Sequence, residues 1–130
     1  MTLDKQVVSL ELAKKMKELG FHQESLFWWV RQGEHFAMSD KQEAGIAKIT
    51  NEKPPYDFPY ESLGSAYTVA ELGEMLPDAT SLTRRAVDGS WRYPGITGES
   101  KYADTEANAR AKMLIYLAEN NLINPKDITL

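Results

Sequence analysis

The chain has 130 residues, of which 42% are apolar and 26% charged, with no cysteine and a net charge of −4. That length suits one domain, residues 1–130, with a modest core. The lack of thiols excludes disulfides and thiolate metal sites, and the acidic balance argues against the basic footprint that nucleic-acid binding needs.

The opening "MTLDKQVVSLELAKKMKELG" has no unbroken apolar run followed by small residues, as a secretory signal would. No stretch approaches the ~20 apolar residues that cross a bilayer. The expectation is a cytoplasmic protein without a membrane partner.

A first helix is predicted from Leu10 to Leu19, with Ser9 capping its first-turn N–H groups. Leu12, Met16 and Leu19 share one face, and Gly20 closes the helix so that Phe21 folds back toward Met16. "ESLFWWVRQ", residues 24 to 32, reads as a strand covered on both sides. Leu26, Trp28 and Val30 alternate there with Phe27, Trp29 and Arg31. Residues 34 to 50 fit either a short helical turn or an extended edge. Residues 52 to 66 carry three prolines, and the expectation there is a loop packed across the fold.

"YTVAELGEMLPD" encodes a second helix, with Thr68 and Glu71 in the spacing of a capping box and Pro77 limiting its length. Val69, Leu72 and Leu76 form its apolar stripe. Next, "LTRRAVDGSWRYPG" reads as a β-hairpin around a two-residue Asp88-Gly89 turn of type I′. That register pairs Arg85 with Arg92 and Arg84 with Tyr93. It puts Thr83, Arg85 and Arg92 on the outer face, and Arg84 with Trp91 and Tyr93 on the core face, where Arg84 can lie over Tyr93. A third helix follows from about 105 to 120, capped by Asp104 or Thr105, with Glu106 at the positive end of its dipole. From Met113 to Ala118 it is apolar nearly all round, which places it at the centre of the packing.

Motifs for chemistry are few. His22 and His35 stand outside any metal-ligand spacing, and no nucleophile elbow, P-loop or dinucleotide-binding glycine pattern occurs. No catalytic residue, metal or cofactor is assigned. "GITGES", residues 95 to 100, lacks the lysine and following helix of a phosphate loop. Glu11, Glu71 and Glu106 are explained by their places near helix starts. Two features remain. Like charges opposed across the hairpin need an offset, either nearby carboxylates and water or an anionic ligand held by Arg85 and Arg92 beside Thr83. The aromatics mostly belong to the core, but Phe27, Trp29, Tyr56, Phe58 and Tyr60 could leave one face open as an interaction surface.

Three blocks, "SLELAKKMKELGFHQESLFWWV", "YTVAELGEMLPD" and "ADTEANARAKMLIYLAENNLI", cover roughly half the chain. They resemble segments of a family of small bacterial proteins of unknown function, found in Bacteroides-type genomes and their prophages or mobile elements. The resemblance implies no activity and no catalytic residues.

The expected fold is α+β: one antiparallel sheet of about three strands, built from residues 24 to 32 and the 82–95 hairpin, packed with about three helices. The expected function is that of a non-catalytic interaction protein, an accessory factor of phage or mobile-element type, with a protein partner or self-association. The alternative is a protein or enzyme that binds a small anionic or nucleotide-like ligand on the Arg85/Arg92 face. A nucleic-acid role ranks third, opposed by the charge.

Overall fold

The computed structural model describes residues 2–32, 48–51, 60–77, 84–86, 88–94 and 100–128, the side chains of Gln32, Lys48, Tyr60, Glu61 and Arg84 excepted. The fold is α+β. In chain order it has α1 (Leu3–Gln6), α2 (Leu10–Leu19), β1 (Trp28–Gln32), β2 (Lys48–Thr50), β3 (Tyr60–Ser65), α3 (Val69–Met75), β4 (Arg84–Arg85), β5 (Trp91–Tyr93), β6 (Lys101–Ala103) and α4 (Glu106–Glu119), then a 3-10 turn at Pro125–Asp127.

The helices begin and end where local chemistry says they should. Ser9 Oγ accepts from Leu12 N, and Gly20, at φ 96°, closes α2 with its N–H on Lys17 O and Phe21 N on Met16 O. Met16 and Phe21 are both buried, so the backbone reversal also delivers a hydrophobic contact at the helix end. The end of α4 repeats the device with Asn121 at φ 57° in place of glycine: Asn121 N bonds Ala118 O and Leu122 N bonds Leu117 O. Thr105 Oγ1 caps the other end by accepting from Asn108 N at 3.1 Å.

Helix α4 is the centre of the packing, as its all-round apolarity predicts. Met113, Leu114 and Leu117 are essentially inaccessible, and α2, α3, β5 and β6 pack around it. Each fully buried Leu or Met contributes about 1.5–3 kcal/mol of burial. Helix α2 lies on β3, where it approaches so closely that a Cβ at Gly64 would come within 3.1 Å of Ala13 O.

The strands form two antiparallel sheets instead of the single one expected. Strand β1 is the middle of the first, ordered β2-β1-β3, and β5 is the middle of the second, ordered β4-β5-β6. The strand predicted for 24–32 starts at Trp28, because the segment before it is drawn away. Ser25 Oγ donates to Phe27 O and Leu26 N donates to the Glu71 carboxylate on α3. The second half of the proline-bearing stretch is strand β3, not loop. Its pairing with β1 runs Trp28–Ser65 and Trp29–Gly64, then shifts to Val30–Ser62, leaving Leu63 as an extra residue. A bulge of this kind destroys the alternation by which a strand is read.

The hairpin differs by one position from its predicted register. Arg84 stands opposite Arg92, and Arg85 opposite Trp91. Ala86 N bonds Ser90 O at 2.7 Å and Gly89 N bonds Ala86 O at 3.0 Å, which makes a three-residue loop, 87–89. A type I′ turn requires positive φ at Asp88 as well as at Gly89. The three-residue loop requires it only at Gly89, where φ is 90°. Asp88 instead keeps its side chain for Ser90, accepting from both its N–H and its hydroxyl. Arg85 and Arg92 therefore belong to opposite faces of the sheet.

Truncation at the centre should be costly and at the surface nearly silent. Leu114→Ala is expected to lower unfolding free energy by about 2–5 kcal/mol. Leu26→Ala, at a side chain 63% exposed, is expected to change it by less than about 0.5 kcal/mol. Urea denaturation of the two variants measures both.

Candidate functional site

Three helix starts and one sheet face meet at a cavity of about 660 Å³. Helix α1 contributes Leu3, Lys5 and Gln6, the start of α3 Thr68 to Ala70, and the start of α4 Asp104 to Glu106. Phe27 and, from the second sheet, Arg85 and Trp91 complete the lining.

Each wall has a sequence-level cause. Residues Thr68 and Glu71 form the predicted capping box: Glu71 N donates to Thr68 Oγ1, and Thr68 N donates to Glu71 Oε1. The other carboxylate oxygen accepts from Leu26 N at 3.0 Å, so the group that starts α3 also holds Phe27 in its wall. Ala66 N donates to Phe27 O, fixing the same residue from the β3 side. The α3 and α4 walls are tied by Arg110, which donates to Val69 O at 2.9 Å and pairs with Glu106 at 3.1 Å. Gly73 makes room for that guanidinium, because a Cβ there would collide with Arg110 Nη1. Helix α4 is anchored to α2 by Ser9 N donating to Asn108 Oδ1 at 2.8 Å.

The charges of the cavity are unevenly satisfied. Glu106 is neutralised by Arg110, and Asp104 accepts from Asn108 Nδ2 at 3.2 Å. Lys5 and Arg85 are exposed and have no ion-pair or side-chain hydrogen-bond partner among the described residues. Arg85 lies with its guanidinium carbon 5.9 Å from the centroid of the Trp91 ring, within cation–π range. The arrangement offers two free cations beside half-buried aromatic surface.

Of the residues singled out from sequence, the fold brings Arg85 and Phe27 together here. Arg92 is elsewhere, opposite Arg84 and Tyr102, and donates to Ser100 Oγ at 3.0 Å. Trp29 is partly buried. It packs against the core and its indole N–H donates to Val8 O at 2.9 Å. Tyr60 opens β3 opposite Gln32. Thr83, Tyr56, Phe58 and His35 lie outside the described residues. Arg85 lies over Trp91, which the one-residue register difference sets opposite it, and the Arg84 side chain lies outside the described residues. Lys5 and Leu3 had no marker in the sequence. The short α1 gains its position only because Val7 bridges to Thr68 and Val8 N bonds Tyr67 O.

His22 is used structurally: its ring Nε2–H donates to Lys126 O at 3.0 Å, and its own carbonyl accepts from the Tyr67 hydroxyl. Tyr67 is fully buried, and Gln23, which donates to the Tyr67 oxygen, also accepts from Ser65 N. Among the described residues no group of three or more His, Asp or Glu could hold a metal ion, and no helix is long and apolar enough to cross a membrane. The chain matches no family model, no curated protein and no solved structure.

Burial pushes the Tyr67 phenol well above its ordinary value of 10.0. Below that ordinary value both folded and unfolded chains hold the proton, and Tyr67 adds no pH dependence. Above it the unfolded chain releases the proton and the folded chain does not, so stability falls as pH rises. Tyr67→Phe should therefore leave the tyrosinate absorbance gained before alkaline unfolding unchanged, and lower only the amplitude gained during unfolding. A reduced pre-transition amplitude would show that Tyr67 ionises in the folded protein.

Proposed function

We propose that the protein is a non-catalytic interaction protein, an accessory factor of phage or mobile-element type acting in the cytoplasm, and that the Phe27–Arg85–Trp91 groove is its working surface. The observation that carries this reading is the meeting of free cations and aromatic faces in one open cavity of about 660 Å³. The resemblance of the three sequence blocks supports the accessory assignment. A two-guanidinium cradle for a small anion would need Arg85 and Arg92 on one face, and the register puts them on opposite faces. The net charge of −4 disfavours a nucleic-acid partner.

Affinity capture from a lysate of the encoding bacterium, with light scattering of the purified chain to detect self-association, tests the reading. Phe27→Ala and Arg85→Glu are each expected to weaken capture, Phe27→Ala by about thirtyfold if it behaves as a hot spot. Arg92→Ala should leave capture unchanged. Equal capture by all variants, or a strict monomer that captures nothing, would overturn the proposal.

A further inference from the structure

We infer that the occupant of this groove is an extended acidic peptide segment, which lays an apolar side chain between Phe27 and Trp91 and sets its carboxylates against Arg85 and Lys5. The inference rests on the interaction reading and specifies the partner's chemistry.

Charge selects the sign. Of the two carboxylates in the lining, Glu106 is neutralised by Arg110 and Asp104 keeps its charge while accepting from the Asn108 amide. Lys5 and Arg85 have no ion-pair or side-chain hydrogen-bond partner among the described residues and are the cations open to an outside carboxylate. Charge-assisted hydrogen bonds to a carboxylate are the strong contacts open to both. Apolar surface selects an amphipathic ligand, since Leu3 is 37% exposed and Phe27 and Trp91 remain half-buried in the same lining.

Backbone geometry selects a peptide over a small aromatic acid. In an antiparallel ladder, bonded and non-bonded pairs alternate. Ala86 N bonds Ser90 O, so Arg84–Arg92 is a bonded pair and Arg85–Trp91 is not. The N–H and C=O of Arg85 therefore point away from β5, at the edge of the sheet, and no described residue pairs with them. A backbone donor and acceptor thus flank the guanidinium that lines the groove. An extended chain can use all three, adding beside β4 as strands do at open sheet edges.

Random-decapeptide display on the full chain tests this. Recovered sequences are expected to place Phe, Leu, Trp or Met next to two or more Asp or Glu. A synthetic peptide of the leading sequence, titrated by fluorescence anisotropy, should bind about three- to fivefold more weakly to Arg85→Ala and to Lys5→Ala, and lose affinity as salt rises to about 0.15 M. Both side chains are exposed, so circular dichroism should show both variants folded. Arg92→Ala should bind like wild type, and N-methylation at one peptide backbone position should abolish binding. Neutral or basic sequences that still require Phe27 would overturn the acidic-peptide inference and leave the groove reading standing. The same holds if no peptide is recovered while lysate capture still depends on Phe27. Peptides bound equally by Phe27→Ala and by the double variant Lys5→Ala/Arg85→Ala would overturn both.

Discussion

Between Met113 and Leu117 helix α4 has almost no face that water could satisfy, and the rest of the chain is arranged to cover it. The helix is apolar around its circumference, so one sheet or one helix cannot bury it, since a single neighbour covers only a stripe. Four elements do so: α2 and α3 among the helices, β5 and β6 from the second sheet. The two sheets stay separate in hydrogen bonding and are joined through the helices. That arrangement frees β1 from pairing with the hairpin.

Polar contacts at helix starts do more than end the helices. Asn108, in the first turn of α4, reaches Ser9 at the start of α2, and Glu71, in the first turn of α3, reaches Leu26 ahead of β1. Arg110 then bridges α3 and α4. First-turn N–H groups must find partners in any helix. Here the side chains that serve them also fix distant segments, and the groove opens where these junctions converge. Of the two carboxylates in its lining, Glu106 is already paired with Arg110.

Features with short-range causes were legible in the sequence. Ser9, Gly20, Thr68 with Glu71, and Thr105 each act within a few residues, and every helix they bound was found nearly to the residue. The hairpin was legible as a hairpin, but Asp-Gly suits two loop lengths, and the choice turns on the φ of one aspartate that its identity does not dictate. That single position moved Arg92 away from Arg85 and brought Arg85 over Trp91. Strand β3 was hidden because its Tyr-Glu-Ser-Leu-Gly-Ser sequence shows no clean alternation, its pairing partners being 28 to 37 residues earlier. The α1 wall of the groove was hidden for the same reason: Lys5 has its place through the long-range contacts of Val7 with Thr68 and of Val8 with Tyr67.

The extra residue at Leu63 resets the register of half the pairing. In an uninterrupted ladder Arg31 would face Ser62, and Glu61 would face Gln32. With the ladder displaced by one step, Arg31 stands opposite Glu61 and Gln32 opposite Tyr60. One surplus amino acid thus works as a frameshift written in hydrogen bonds: every rung from Val30 to Gln32 is matched one place further along, while the tight seat of Gly64 beneath α2 lies among the rungs at Trp28 and Trp29.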